Sequence, residues 1–368
     1  MKIFKRLLAG SGLLLIIGLG VLAWQISYNT PCPEPQLLTT AEAGGRAVRA
    51  HCYGGPEVLQ IVETTIPEPG PKEIRVRVAR AAVNPLDYHF MRGAPYVMRL
   101  MTGTGAPSSP GVGRDFAGTV DAVGSEVTRF KVGDRVFGGA NGAFSDYIVR
   151  SETGSVAAIP DNASFDQAAS LPVAAITALQ AIRDQGEVKP GDKVLINGAS
   201  GGVGTYAVQL AKAMGAEVHG VCSTRNVAMV KNLGADKVYD YKKQDYREAG
   251  ERYDVIIDNV GNHSLRSNHA LLVEGGRLVL VGGSKGNWVG PLVGPIEAML
   301  LSLFVDESVS TFVASLEQAD LEVLAEYMAR GELDSQIDRH YPLEQVADAV
   351  AYSESGRARG KILLDITP

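Results

Sequence analysis

The stretch Asn197-Gly198-Ala199-Ser200-Gly201-Gly202-Val203-Gly204 constrains this chain more than any other. It follows the apolar run Lys193-Val194-Leu195-Ile196 and opens an apolar-periodic segment over 205–214, so it reads as a strand, a glycine turn and a helix start. The first turn of a helix presents unpaired N–H groups at the positive end of the peptide dipoles, which favours an anion. A strand-turn-helix unit of this kind holds a dinucleotide pyrophosphate. Gly201 is expected to turn the chain sharply, Gly202 to let backbone approach phosphate, and Gly204 to let the helix pack closely on the strand.

The surrounding rhythm supports a parallel sheet. Short apolar strands are predicted at 194–197, 217–222, 255–258 and 278–281, alternating with helices at 205–214, 227–233 and 265–272. Gly215-Ala216 and Gly234-Ala235 would end the first two helices. Such alternation implies right-handed crossovers and a doubly wound sheet. Residues 46 to about 158 differ: 74–79 alternates through Ile74, Val76 and Val78, and runs near 119–123 and 135–137 are separated by Gly and Asp turns, as in a compact all-β unit. Helices are expected at 321–329 and 343–353, and a closing strand at 361–366. The apolar stretch 289–305 has Glu297 as its only charge but is interrupted by Pro291 and Pro295, so it reads as a helix over a cleft or at a domain interface rather than a membrane span.

The first residues have a different character. Lys2, Lys5 and Arg6 precede an uncharged apolar run over 7–24, which as a helix would extend about 27 Å, close to the hydrocarbon thickness of a bilayer. Trp24 and Tyr28 suit the far interface, and 29–45, with Pro31, Pro33 and Pro35, reads as an extended linker. A cleaved signal peptide is the alternative, but no convincing small-x-small site follows Ala23. With no Lys or Arg between Arg6 and Arg46, the positive-inside rule places the large domain outside. A nicotinamide cofactor favours the cytosol, and a cytosol-facing domain on a single-pass anchor is the expectation carried forward. Cys32, Cys52 and Cys222 are scattered and read as three separate thiols. A formal net charge of -6 and the absence of zinc-finger or helix-turn-helix spacing argue against a nucleic-acid partner.

The adenosine end of the dinucleotide site is informative. An NAD site places an acidic residue about twenty positions beyond the turn. Here the second strand ends in Ser223-Thr224-Arg225-Asn226. A hydroxyl, a guanidinium and an amide can donate to a 2′-phosphate that a carboxylate would repel, so NADPH is expected.

Four motifs carry a family resemblance: Ala199-Ser200-Gly201-Gly202-Val203-Gly204, Val83-Asn84-Pro85-Leu86-Asp87, Gly113-Arg114-Asp115-Phe116-Ala117-Gly118, and Asp258-Asn259-Val260-Gly261. Together, in this order, they resemble the zinc-independent branch of the medium-chain dehydrogenase/reductase superfamily, most closely its quinone oxidoreductases and reticulon-4-interacting-protein-like relatives. The resemblance runs from about residue 46 to the C-terminus. It implies an α/β fold with a GroES-like β-rich catalytic domain over 46–165, a Rossmann NADPH-binding domain over 166–333 with a doubly wound parallel sheet, and a return to the catalytic domain over 334–368. These follow a single N-terminal transmembrane helix within 1–28 and the linker 29–45. By the family pattern Ala199, Ser200, Gly201, Gly202, Val203 and Gly204 hold the pyrophosphate. Ser223, Arg225, Asn226 and Tyr241 surround the 2′-phosphate, Asn259, Val260, Val281 and Gly282 approach the nicotinamide, and Lys361 reaches the cofactor from the closing strand.

Where zinc-dependent relatives place a metal-binding Cys this chain has Asn84, and where they place a His it has Arg114. Catalytic zinc needs about three protein ligands, and His51, His89, His219, His263, His269 and His340 lie in different predicted elements, so no metal is expected. Charge developing on a substrate oxygen would then be met by hydrogen-bond donors in a dry cleft. Asn84 can donate through its amide and Tyr88 through its phenol, with Asp87 orienting one of them and Arg114 a lesser helper. The expected activity is hydride transfer from NADPH to a quinone or an α,β-unsaturated carbonyl, lipophilic if the anchor holds the cleft near a bilayer. An alcohol or carbonyl dehydrogenase of the same fold, and a catalytically weak NADPH-binding membrane adaptor, are the alternatives. The resemblance also implies a homo-oligomer.

Overall fold

The computed structural model describes residues 18, 20–34, 44–283, 286–288, 297 and 308–367. Most of the apolar N-terminal run, and all of the apolar stretch 289–305 except Glu297, therefore lie outside the described residues. Among the described residues no helix is long and apolar enough to cross a membrane, and the described end of the N-terminal run is helical over 20–27.

Strands β1 (Gly45–Arg49) and β2 (Gln60–Thr64) form a small antiparallel ribbon. Strands β3 (Glu73–Val83), β4 (Asp115–Val123), β5 (Arg135–Gly139), β6 (Tyr147–Ser151) and β7 (Val156–Ala158) build the β-rich half. In β3 the predicted alternation is obeyed: Ile74, Val76 and Val78 are fully buried while Arg75 and Arg77 point outward. Its far end, Ala81-Ala82-Val83, is buried on both faces, because there the strand runs beneath the second half of the molecule.

That second half is a parallel sheet of β8 (Lys193–Asn197), β9 (Glu217–Cys222), β10 (Lys237–Asp240), β11 (Tyr253–Asp258), β12 (Leu272–Leu280) and β13 (Ser308–Thr311), in the order β10-β9-β8-β11-β12-β13. The order reverses beside β8, and a doubly wound sheet binds its ligand at such a reversal, outside the carboxyl ends of the strands. Val194, Leu195 and Ile196 are fully buried, as expected for a strand covered by helices on both faces. Gly215 and Gly234, both with positive φ, end the first two crossover helices as the sequence indicates.

Two boundaries differ from expectation. The helix predicted over 265–272 stops at His269, because buried Asn268 bonds the Asp258 carboxylate and the Leu271 carbonyl already accepts from Tyr253 N–H at the sheet. Strand β12 starts six residues early, its first half disguised in the sequence by Glu274-Gly275-Gly276. The last strands, β14 (Ile337–Pro342) and β15 (Lys361–Asp365), return to the β-rich sheet, which runs β14-β15-β3-β4-β5-β7 with β6 also on β3. Pairing of β15 with β3 sets Ile362 opposite Val83, so Lys361 starts its strand beside Asn84, the residue after β3.

The cysteines also depart from expectation. Cys32 and Cys52 form a disulfide, with Cα atoms 5.0 Å apart, and only Cys222 is a free, buried thiol. Their separation of twenty residues carries no local signal. The pairing arises because the segment after the N-terminal helix folds back on the β-rich half, where Thr30 N–H bonds Gly105 O and the Asn29 amide bonds Tyr53 O.

Candidate active site

The glycine turn joins β8 to the helix Gly202–Ala213. The sharp reversal is made by Gly198, whose φ of +81° lies in the left-handed region; Gly201 has an extended backbone, so the turning role expected of it belongs three residues earlier. Gly204 has its expected role, since a Cβ there would lie 2.1 Å from the Gly198 carbonyl oxygen. Gly201 is different: a Cβ would meet only that same oxygen, at 3.5 Å, and otherwise open space at the helix start. A helix start with open space in front of it is a cradle that can take an anion such as phosphate.

Two buried acceptors flank the cradle without a hydrogen-bond partner, Asn226 Oδ1 on the adenosine side and Asn259 Oδ1 on the nicotinamide side. Buried polar atoms are normally paired, so these two have accepting capacity left for a ligand. Asn226 Nδ2 donates to Ser200 Oγ (2.9 Å) and Ser223 Oγ (3.3 Å), tying the turn to the end of β9. Arg225 is exposed and donates to the Arg357 carbonyl at 2.6 Å, and Tyr241 is exposed at the end of β10. On the other side, buried Asp258 accepts from Asn197 Nδ2, Asn268 Nδ2, Val260 N–H and Gly261 N–H at 2.8–3.0 Å. This carboxylate shapes the loop carrying Asn259 and Val260. Val281 and Gly282 close beside it through Asp258 O, and a Cβ on Gly282 would lie 2.2 Å from Asn259 O. The motif at 258–261 by itself gives Asp258 no role. A carboxylate ending an apolar strand is the signal, because a buried charge must find donors.

Behind the cradle lies a closed knot of charge. Lys361 Nζ donates to Asn84 Oδ1 at 2.5 Å and lies 3.3 Å from Asp115 Oδ2, with both ionic groups buried. Asn84 Nδ2 donates to Asp115 Oδ2 (2.9 Å) and Ala82 O (3.3 Å), and Val173 N–H donates to Asp115 Oδ1 at 3.0 Å. Burial pushes the Asp115 carboxyl up, and the Lys361 ammonium and the Asn84 amide pull it back down. Lys361 runs beside the turn, its Cδ 3.4 Å from a Cβ placed on Gly202, and its ammonium directs two of its three N–H donors into the knot.

The expected donor roles change accordingly. Both amide hydrogens of Asn84 are spent inside the protein, and the residue is 1% exposed, so its amide is not available to a substrate. Asp87 does line a pocket, of about 220 Å³, with Phe90, Met91, Met101, Thr102 and Arg114 among its walls. Its carboxylate accepts the Asn84 backbone N–H at 2.7 Å, capping the helix Pro85–Arg92. Burial pushes its pKa up to about 7, the Asn84 N–H opposing and the Asp115 charge adding to the rise. Tyr88 is not among the pocket's walls. Its half-buried ring stacks on His89 at 4.6 Å and packs on the β-rich core, and burial with the nearby Glu354 charge raises its phenol pKa. Arg114, the lesser helper by sequence, lines the pocket with its guanidinium 4.6 Å above the Phe90 ring.

Among the described residues no group of three His, Cys, Asp or Glu is placed to hold a metal ion. The two positions that the resemblance aligns with zinc ligands hold an amide already bonded to an ammonium, and a cation.

Residues 70–161 match the alcohol dehydrogenase GroES-like domain, and residues 233–364 match the zinc-binding dehydrogenase domain. The chain is 32% identical to a quinone oxidoreductase of Pseudomonas aeruginosa, covering 87% of this chain and 99% of that one. It is 33% identical to the trans-enoyl reductase pgmF of Aspergillus terreus, covering 81% and 87%. Among solved structures, the quinone oxidoreductase of Coxiella burnetii superposes with a TM-score of 0.77 at 30% identity, covering 88% of this chain and 99% of that one.

Proposed function

The chain belongs to the medium-chain dehydrogenase/reductase superfamily, as an oxidoreductase related to quinone oxidoreductases, and from that premise we propose that it reduces quinones or α,β-unsaturated carbonyls with NADPH, without a metal. Nicotinamide dependence comes with the family. The phosphate specificity is supported by Ser223, Arg225 and Asn226 standing where an NAD site has an acid. When bound, the nicotinamide supplies a hydride. The protein's part is to seat the pyrophosphate on the helix start at Gly201, to shape the nicotinamide side with Asp258, and to meet the negative charge arising on the substrate oxygen.

The observation that carries the reading is Arg114. It is a cation in the pocket wall, over the Phe90 ring, at the position the resemblance aligns with a zinc ligand, and it can stabilise an oxyanion without a Lewis acid. Asp87, neutral below about pH 7, is placed in the same wall to hold the proton that completes reduction. The test is oxidation of NADPH and NADH by purified protein against quinones, enones, aldehydes and ketones. Arg114→Ala is expected to lower kcat/KM for a quinone or enone by about 100-fold, the scale for losing one oxyanion donor. Arg225→Ala is expected to raise KM for NADPH about tenfold and leave NADH unchanged, the scale of one charge-assisted phosphate contact. Preferred turnover of saturated aldehydes, or chelator-sensitive activity restored by zinc, overturns the reading.

The same reading includes the single-pass anchor, supported by the sequence of 7–24. Disulfides persist in oxidising compartments, so Cys32–Cys52 supports the outward placement given by Lys2, Lys5 and Arg6 over the cytosolic placement given by the cofactor. Protection of the domain from added protease in sealed, right-side-out membrane vesicles would restore the cytosolic one.

A further inference from the structure

One short segment joins the N-terminal helix, the protein surface and the pocket. Arg99 opens the four-residue helix Arg99–Thr102 and is 1% exposed, yet among the described residues it has no carboxylate partner. Its guanidinium donates to Ile26 O (3.0 Å) and Tyr28 O (3.1 Å) at the end of the N-terminal helix, and to Arg92 O and Gly93 O of the catalytic half. It is held between the rings of Tyr53 and Tyr96, at 4.3 and 4.6 Å. The Cys32–Cys52 bond closes the same junction a few residues on. The N-terminal helix is therefore fixed to the catalytic half rather than trailing from a loose linker.

The residues after Arg99 do not behave like soluble surface. Leu100 is 62% exposed and Met101 91%, with Val97 also exposed one turn earlier, while Met101 and Thr102 line the 220 Å³ pocket. On the gripped helix Trp24 and Tyr28 are exposed, with rings 5.3 Å apart, and Val21 and Leu22 are exposed as well. An exposed Trp-Tyr pair at the end of a long apolar run marks the level of a membrane interface. Arg99 holds the carbonyls of residues 26 and 28, about one helical turn or less from that level, so Leu100 and Met101 are set at interfacial depth.

The geometry points to a bilayer-contacting entrance. Val97, Leu100 and Met101 dip into the lipid interface beside the N-terminal helix, and a lipophilic substrate passes from the bilayer along Met101 into the pocket. The occupant of this apolar face is lipid, because the uncharged run 7–24 ends at the gripped helix and delivers the segment to a membrane. The substrate route rests on the reductase reading above, and the contact with lipid rests on the anchor alone.

The experiment uses the full chain in phosphatidylcholine proteoliposomes. Leu100→Cys carrying an environment-sensitive fluorophore is expected to be quenched at least threefold more by brominated acyl chains than Val132→Cys in the loop between β4 and β5. Equal quenching, or failure of the full chain to associate with vesicles, overturns the entrance whatever the activity. For the route, Leu100→Glu is expected to lower turnover of a long-chain quinone dissolved in the vesicles at least tenfold, while turnover of a short-chain water-soluble quinone stays within twofold. Equal loss on both quinones, or loss on neither, overturns the route. A wild-type chain that reduces neither quinone while the labelled site is still quenched strikes the reductase reading and leaves the lipid contact standing. A change of mass by light scattering in Leu100→Glu identifies the occupant as a second copy and overturns lipid.

Discussion

The glycine turn and the charged knot behind it lie side by side and are built on opposite terms. At the turn, groups are left over: open space in front of Gly201, and unpartnered Asn226 Oδ1 and Asn259 Oδ1. In the knot Asn84 and Asp115 spend their polar groups on Lys361, on one another and on backbone, and only one N–H of the Lys361 ammonium is left over. The first arrangement can bind a ligand and costs stability to maintain. The second holds β3, β4 and β15 in register at the junction of the two halves, and its Asn84 and Asp115 offer a substrate nothing. Polar residues in family motifs are therefore not equivalent; what decides is whether their hydrogen-bonding capacity is already used.

The knot can be broken from its cation. Removing one partner of a buried ion pair leaves an uncompensated charge, at a cost of about 3–5 kcal/mol. Lys361→Met is expected to lose that much in urea-induced unfolding, and Lys361→Met with Asp115→Asn to recover at least half of it. A loss below about 1 kcal/mol in the single variant would mean that the knot is not buried in solution.

The turn separates into a packing glycine and a binding glycine. Gly204→Ala places a Cβ 2.1 Å from the Gly198 carbonyl, so backbone must move, and a loss of about 1–3 kcal/mol in thermal unfolding is expected together with weakened cofactor binding. Gly201→Ala has room in the protein, so its Tm is expected to stay within about 2 °C while its NADPH Kd, by fluorescence titration, rises about tenfold, or ~1.4 kcal/mol. If both variants lose stability equally, the distinction drawn between the two glycines fails.

How much of this was legible in the sequence follows local pattern. Strand β9 has its predicted bounds, because a parallel strand buried from Val218 to Cys222 and preceded by Gly215 is read from six consecutive residues. The first half of β12 is hidden by Glu274-Gly275-Gly276, an irregularity between the Tyr253–Leu272 and Val255–Arg277 pairs in which Gly275 has positive φ. At the site, residue types were legible and directions were not. The side-chain amide of Asn84 is spoken for by a lysine 277 residues away, and the Arg99 grip reaches 73 residues back. Cys32 and Cys52 read as separate thiols for the same reason, since their pairing depends on where a proline-rich segment lands.

The effect spread most thinly, over about three pH units, lies at the boundary between turn and knot, in Asp87, which touches the knot through Asn84 and also faces the pocket. Its pKa is raised from 3.8 to about 7 in the folded chain, so between those values the folded state holds a proton that the unfolded state has released. Its contribution is therefore most favourable below pH 4 and is lost as pH rises through about 7. One proton sets an upper limit of about 1.4 kcal/mol per pH unit on the slope. Urea unfolding of wild type and Asp87→Asn between pH 5 and 9 is expected to show the variant's stability falling less steeply, the difference approaching that limit between pH 5 and 6, with the curves parallel above pH 8. A wild-type slope equal to the variant's across the whole range would show Asp87 ionised throughout, and would move the proton assigned to the pocket wall onto another group.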